Sequence, residues 1–258
     1  MIDKIKKALL DVQRQKPLVL NLTNFVTMDF VANCLLALGA APIMSNCEEE
    51  LEELMKLCSV LYINTGTLDS SFINFTKKAI ALAVQYHKPI VFDPVGAGAT
   101  KIRTKTAKEI CPFATIIRGN ASEIIALADQ DSATKGVESI HTTDEAKEIA
   151  QNLARKYKTT IIVSGAIDLV TDGQRSAEVT GGSPLMQLVT GMGCAMTAVI
   201  AAFKAIVDDP FDAGLIAVHY FAFCGSRAAL KHQNPGSFKT AFIDQLHRQE
   251  YEPFRNIL

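Results

Sequence analysis

The chain has 258 residues, enough for one or two domains, and its hydrophobic content of 48% with 21% charged residues excludes a disordered chain and suits a substantial core. Lys plus Arg number 26 against 27 Asp plus Glu, a formal net charge of −1, so no global field draws the protein to nucleic acid or an anionic membrane. Any phosphate it binds must be held locally. The segment Met1 to Leu10 interleaves charge with apolar residues, without the uninterrupted apolar core of a signal peptide. The longest apolar stretch, Ala195 to Phe203, is too short to span a bilayer, so a cytoplasmic protein with no membrane or nucleic-acid partner is expected. Cys34, Cys47, Cys58, Cys111, Cys194 and Cys224 form no C-x-x-C pair, which argues against a zinc knuckle or a disulfide framework. All but Cys194 read as small buried hydrophobes. The histidines show no paired spacing of metal-ligand type.

Taken in order, Pro17 to Leu22 is an apolar run that predicts a buried strand, and Phe25 to Leu38 follows a helical period that Gly39 stops. Ala41 to Met44 predicts a second short strand. The acidic helix Glu48–Leu57, the strand Val60–Ile63 and the polar turn Asn64 to Thr67 follow, then a helix Ser70–Tyr86 and a strand Pro89–Phe92. The alternation continues through Thr115–Ile117, Ser122–Ala128, Asp144–Tyr157 and Thr159–Val163. Strands buried on both sides lose polar alternation, so this rhythm predicts an α/β fold with a central, mostly parallel sheet and helices on both faces. After Gly165 the Asp172-Gly173 pair between short runs predicts a hairpin. Ala195–Val207, Phe211–Leu230 and Lys239–Gln249 read as helices. No linker, repeat or low-complexity tract interrupts the chain, so one domain over residues 1–258 is expected.

In open parallel sheets, ligands bind beyond the carboxyl ends of the strands. There this sequence collects its unusual polar residues: Asn21, Thr23 and Asn24; Asn64, Gly66 and Thr67; Asp93; Arg118 and Asn120; Ser164 and Gly165; and the loop Gly191-Met192-Gly193-Cys194. In that loop an apolar run breaks at two glycines and restarts as a helix. The N–H groups of Gly191, Met192 and Gly193 are expected to converge at the helix N-terminus and form an anion cradle. Cys194 falls in the first turn, where the same field lowers a thiol's pKa and makes it a potential base. A glycine turn before a buried cysteine is the plainer alternative. Asp93 is placed to hold a hydrated Mg²⁺ by one oxygen, or else to cap its loop. Gly96 and Gly98 make no dinucleotide fingerprint, since the third glycine and its helix are missing. Asn120 and Glu123 have capping-box spacing; the functional alternative has Glu123 facing the same metal through water and Arg118 reaching a nucleotide phosphate.

The ordered set Asn21-Leu22-Thr23-Asn24, Val26-Thr27, Ala32-Asn33, Met44-Ser45, Asn64-x-Gly66-Thr67, Asp93 to Gly98, Arg118-Gly119-Asn120-x-x-Glu123, Gly136-Val137-x-Ser139 and Gly191-x-Gly193-Cys194 closely resembles the hydroxyethylthiazole kinase family, part of the ribokinase-like superfamily. The match runs from about Pro17 to about Phe238. The resemblance implies a ribokinase-like fold and phosphorylation of 4-methyl-5-(2-hydroxyethyl)thiazole by ATP in thiamine salvage. It also implies Mg²⁺ and a homotrimer with active sites between subunits. It implies Arg118 and Ser164, with Asn120 beside them, at ATP; Met44 and Gly191 at the thiazole alcohol; Asp93 and Glu123 in the metal region; and Cys194 where most ribokinase-like enzymes have the catalytic aspartate. Met192 stands where threonine is expected and Glu138 replaces the aspartate of a G-V-D-S pattern.

Phosphoryl transfer rests on positioning and electrostatics, so Gly191, Gly193, Arg118 and Mg²⁺ are assigned the transition-state charge and Cys194 a secondary role as base. A neutral heteroaromatic alcohol needs apolar walls and few polar anchors, which suits Val26 and Met44 with Asn24 close by. The alternatives are a hydroxymethylpyrimidine kinase, an ADP-dependent hydro-lyase acting on hydrated nicotinamide nucleotides, or a non-catalytic nucleotide-binding sensor.

Overall fold

The computed structural model of the protein describes residues 1–128, 143–248, 250 and 251. The Gly136-Val137-x-Ser139 motif, with its Glu138 departure, lies outside the described residues. Eight strands among them form one sheet: β1 (Leu18–Leu22), β2 (Ala41–Met44), β3 (Val60–Asn64), β4 (Ile90–Asp93), β5 (Ile116–Asn120), β6 (Thr160–Ser164), β7 (Ile167–Thr171) and β8 (Ser176–Thr180). Their spatial order is β2-β1-β3-β4-β5-β6-β7-β8. All pairings from β2 to β6 are parallel, and β7 and β8 add the predicted antiparallel hairpin, its turn closed by the Asp172 N–H on the Arg175 carbonyl at 3.2 Å.

The apolar runs become strands because both of their faces are covered. On one face Val19, Val60, Tyr62, Val91, Ile116 and Ile162 pack against α1 (Ile2–Gln15), α2 (Met28–Leu38), α8 (Met192–Lys204), α9 (Pro210–Ala229) and α10 (Pro235–Arg248). On the other, Leu20, Leu61, Ile63, Phe92, Ile117 and Ile161 pack against α3 (Leu51–Leu57), α4 (Ser70–Gln85), α5 (Lys101–Ile110), α6 (Ala121–Leu127) and α7 (Thr143–Tyr157). The period of two along each strand therefore decides which layer a residue joins. The same period carries the polar residues at the strand ends to a definite side, which matters for the site below.

Differences from the expected elements have local causes. The charge-interleaved N-terminus is an amphipathic helix, α1, burying Ile5, Ala8, Leu9 and Val12 at helical spacing. Helix α2 begins at Met28 and not at Phe25, because the Asn24 side-chain oxygen accepts the Thr27 N–H at 3.1 Å and holds residues 24–27 in a turn. Helix α8 begins at Met192, three residues early; Gly193 is a poor helix former yet lies inside the first turn. Helix α10 starts at Pro235 instead of Lys239, proline being suited to a first helical turn. Helix α5 was not anticipated. Cys34, Cys58, Cys111 and Cys224 are buried as expected, whereas Cys47 is exposed, in the loop after edge strand β2, with its thiol 3.0 Å from Glu49 Oε2. Among the described residues no helix is long and apolar enough to cross a membrane.

Candidate active site

The carboxyl ends of β1, β3, β4, β5 and β6 meet the N-terminus of α8, and the site grows from that junction. Gly191 caps α8 with φ +88°, a left-handed conformation open to glycine, and a Cβ there would come within 2.8 Å of Thr27. One of the three expected donors is lost: the Met192 N–H turns to the Val189 carbonyl at 3.3 Å. The N–H groups of Gly193 and Cys194, at the start of the helix, meet no main-chain acceptor among the described residues. Beside Gly193 lies a cation. The Arg118 guanidinium packs so closely on Gly193 that a Cβ at that residue would stand 2.5 Å from Nη1.

Arg118 is held in place from β6 and β4. Its Nη2 donates to Ser164 Oγ at 2.5 Å, and its Nη1 lies 4.0 Å from Asp93 Oδ2. Residues 120 and 164 are register partners on β5 and β6, so Arg118, Asn120 and Ser164 reach the same rim. All three line a cleft of about 460 Å³ with Gly165, Met192 and Gly193. The residues expected at the nucleotide are thus brought together, and Met192 contributes an apolar wall.

Asp93 closes β4 and is 1% exposed. Its Oδ2 receives the Thr197 hydroxyl at 2.9 Å and the Asn64 amide at 3.1 Å. Burial pushes its pKa up to about 6; the Arg118 charge, Thr197 and Asn64 oppose the rise, and the nearby Glu123 carboxylate adds to it. Its other oxygen, Oδ1, is buried without a hydrogen-bond partner. Glu123 completes the predicted capping box: Oε2 accepts the Asn120 N–H at 2.9 Å, while Asn120 Oδ1 accepts the Glu123 N–H. Its Oε1 accepts the Gly96 N–H at 3.0 Å, which ties the loop after β4 to the start of α6. Among the described residues no group of three or more His, Cys, Asp and Glu could cage a metal. One buried carboxylate with an unpartnered oxygen and a second close by fit a divalent ion that keeps water and phosphate ligands, and do not fit a structural zinc.

Cys194 is half-buried in the first turn of α8. The expected lowering of its pKa does not occur: burial and the Asp93 carboxylate raise it, and these outweigh the neighbouring Thr27, Asn64 and Asn24. Taking the thiolate out of water, beside a carboxylate, costs more here than those neighbours' hydrogen bonds return. Asn24 lies 4% exposed and donates its amide to Cys194 Sγ at 3.4 Å. The apolar residues expected at the acceptor are not enclosed: Val26 is 72% exposed and Met44, on edge strand β2, is half-buried. Asn21 turns inward instead, donating to the Val19 and Ile43 carbonyls, and serves the β1–β2 pairing.

Three residues of the site were not singled out from the sequence. Tyr62 and Thr197 reach it from β3 and α8, and Thr197 had a signal as the polar exception in the apolar run Ala195 to Phe203. Arg103, on the unanticipated α5, donates to the carbonyls of Thr65, Val95 and Gly66 at 2.6, 2.9 and 3.0 Å, binding the loops after β3 and β4 together.

The fold is ribokinase-like α/β: a ribokinase-like superfamily protein from Enterococcus faecalis superposes with a TM-score of 0.68 at 14% identity, covering 96% of this chain and 95% of that one. Similarity in sequence is narrower. A hydroxyethylthiazole kinase from Chlamydia caviae is 47% identical over 257 residues, 99% of this chain and 98% of the relative. The structure of a hydroxyethylthiazole kinase protein from Pyrococcus horikoshii matches with a TM-score of 0.89 and 42% identity, over 95% of this chain and 93% of that one. The profile of the hydroxyethylthiazole kinase family matches residues 9–252. The chain belongs to the hydroxyethylthiazole kinase family.

The packing of Arg118 on Gly193 makes a direct prediction. Gly193→Ala must push the guanidinium aside, and the KM for ATP is expected to rise about 10–100-fold, the equivalent of one lost charge-assisted hydrogen bond. Steady-state kinetics with ATP varied will check this, and an unchanged KM would show that Arg118 does not serve the nucleotide from this position.

Proposed function

We propose that the chain transfers the γ-phosphate of ATP to the hydroxyl of 4-methyl-5-(2-hydroxyethyl)thiazole, a step of thiamine salvage. The observation that carries this reading is the meeting of the α8 N-terminus, the Arg118 guanidinium and the Cys194 thiol at one point beyond the sheet. A phosphoryl group in transfer carries its charge on peripheral oxygens, and fixed donors and a cation are what it needs. Arg118, Ser164 and Asn120 take the nucleotide. The N–H groups at Gly191 and Gly193 receive the moving phosphoryl. Asn24, Val26, Met44 and Gly191 border the acceptor alcohol. Asp93 and Glu123 would hold Mg²⁺, which when bound neutralises phosphate charge. Cys194, whose thiol is kept protonated by burial in the free protein, gives base assistance only in its thiolate fraction.

One domain over residues 1–258 and a cytoplasmic location accompany this reading; the first is supported by the single sheet that all eight strands among the described residues join. A homotrimer with shared sites is supported by the open acceptor side, where Phe25 and Val26 are 66% and 72% exposed beside buried Asn24. Sedimentation of the pure protein is expected to give a trimer mass, and a monomer would count against shared sites.

The deciding measurement is ADP release from ATP and Mg²⁺ with and without the thiazole alcohol. Release is expected to depend on that alcohol; faster release with hydroxymethylpyrimidine or ribose would move the specificity, and none with any alcohol would sink the kinase reading. The pH profile follows from the two shifted groups. Below about pH 6 Asp93 is protonated and loses its pull on a cation, so kcat/KM is expected to rise with pH through that range. The thiolate fraction of Cys194 grows as pH rises toward its elevated pKa, so wild-type kcat should keep climbing above pH 8. Cys194→Ala should turn over about 10²–10⁴-fold more slowly and lose that alkaline climb. A climb that survives the substitution removes Cys194 as the base.

A further inference from the structure

We propose that Asn64 is the positioning residue of this site: its side-chain amide, acting through Asn24, fixes the Cys194 thiol and the Asp93 carboxylate relative to one another. Asn64 is fully buried at the carboxyl end of β3, where it is the register partner of Asp93 on β4. The period of two that places Val60 and Tyr62 on the α8 side carries Asn64 to the same side. Each hydrogen-bonding position of its amide is taken. Oδ1 accepts the Gly66 N–H at 2.9 Å and the Asn24 amide at 2.9 Å; Nδ2 donates to Tyr62 Oη at 2.9 Å and Asp93 Oδ2 at 3.1 Å.

The orientation of this amide follows from its backbone partner. A main-chain N–H can only donate, so the atom facing Gly66 must be the carbonyl oxygen and the NH₂ must face Asp93. Asn24 is set by the same logic: its Oδ1 accepts the Thr27 N–H, which turns its NH₂ toward Asn64 Oδ1 and Cys194 Sγ, at 2.9 and 3.4 Å. Two amides in series, each locked by one backbone donor, thus present an N–H to the sulfur at one end and to the carboxylate at the other. Without such donors, two potential anions this close would be forced to shed charge or move apart. Tyr62 anchors the arrangement to the helix by donating its hydroxyl to the Cys194 carbonyl at 3.0 Å. Asn64 also neighbours the Cys194 thiol, and its hydrogen bonds into the site run to Asn24 and Asp93.

The test uses Asn64→Asp and Asn64→Leu with two readouts. The first, turnover, rests on the kinase reading; the second does not. In Asn64→Asp the oxygens still accept from Gly66 and Asn24, but a carboxylate replaces the donor facing Asp93. Expected is a fall in kcat of about 10–100-fold, with both KM values within about threefold of wild type. In Asn64→Leu the hold on Asn24 is also lost. Iodoacetamide labelling of Cys194, read by peptide mass spectrometry against exposed Cys47 in the same molecule, is then expected to slow about threefold or more. A merely structural role predicts the opposite, since a loosened core would expose Cys194 and speed its labelling. Faster labelling in Asn64→Leu, or a kcat within threefold of wild type in Asn64→Asp, overturns the proposal. Should Asn64→Leu fail to fold, the near-isosteric Asn64→Asp decides through its kcat-against-KM split. Wild-type protein that releases no ADP would refute the kinase reading and leave the labelling comparison intact.

Discussion

The carboxylate of Asp93 is the constraint around which the site is built. A charge taken so fully from water must be resolvated by the protein, and a lone ion pair rarely suffices. Arg118 at 4.0 Å is a distant partner; Thr197 and Asn64 make the closer contacts. Each of these residues then commits another element. Thr197 commits α8, Asn64 commits β3 and through Asn24 the loop after β1, and Arg118 commits β5, β6 and Gly193. Solvating one buried group thereby fixes the relative positions of Arg118 and Gly193 on one side and of Asn24 and Cys194 on the other.

This arrangement depends on the sheet being parallel in its centre. Parallel order brings the carboxyl ends of β1, β3, β4, β5 and β6 to one edge, so the residues that follow the apolar runs become neighbours although they lie far apart in the chain. Strand register then sets finer distances, pairing Asn64 with Asp93 and Asn120 with Ser164. The loops beyond are stiffened from below. Arg103 holds three carbonyls of two loops, and Glu123 spends one oxygen on the loop after β4 and one on the cap of α6.

Much of this was legible in the residues. Alternation of β-branched runs with helical periods specifies the sheet, and the placing of Asn24, Asn64, Asp93, Arg118, Ser164 and Gly191–Cys194 at strand ends specifies that they come together at one end of it. The direction of the Cys194 shift was not legible, because a helix end is a local feature whereas burial and the Asp93 charge come from elsewhere in the fold. The direction of the Met192 N–H is hidden for a similar reason: whether a donor faces outward depends on the turn before it, here closed on Val189. Arg103 gave no signal, since nothing in its spacing reveals that three carbonyls from other loops converge on it. Cys47 shows the limit of composition, for a small apolar residue next to an edge strand has no layer to cover it.

The two sides of the strand-end cluster differ in how their side chains are covered, and the difference has a physical basis. On one side, in the cleft between β5, β6 and α8, the Arg118 cation is held by the Ser164 hydroxyl with the Asp93 carboxylate 4.0 Å away, and it packs on Gly193. On the other side, around Asn24, the polar residues are as tightly fixed, through Asn24 and Asn64, but the apolar ones are not: Val26 and Phe25 face outward from a turn, beyond the reach of either core layer. Hydrogen bonds can fix a single side chain from a few partners, whereas an apolar wall exists only where another surface excludes water from it. Directional donors and charge are therefore set within the chain itself, whereas the apolar side chains of that turn are left in water.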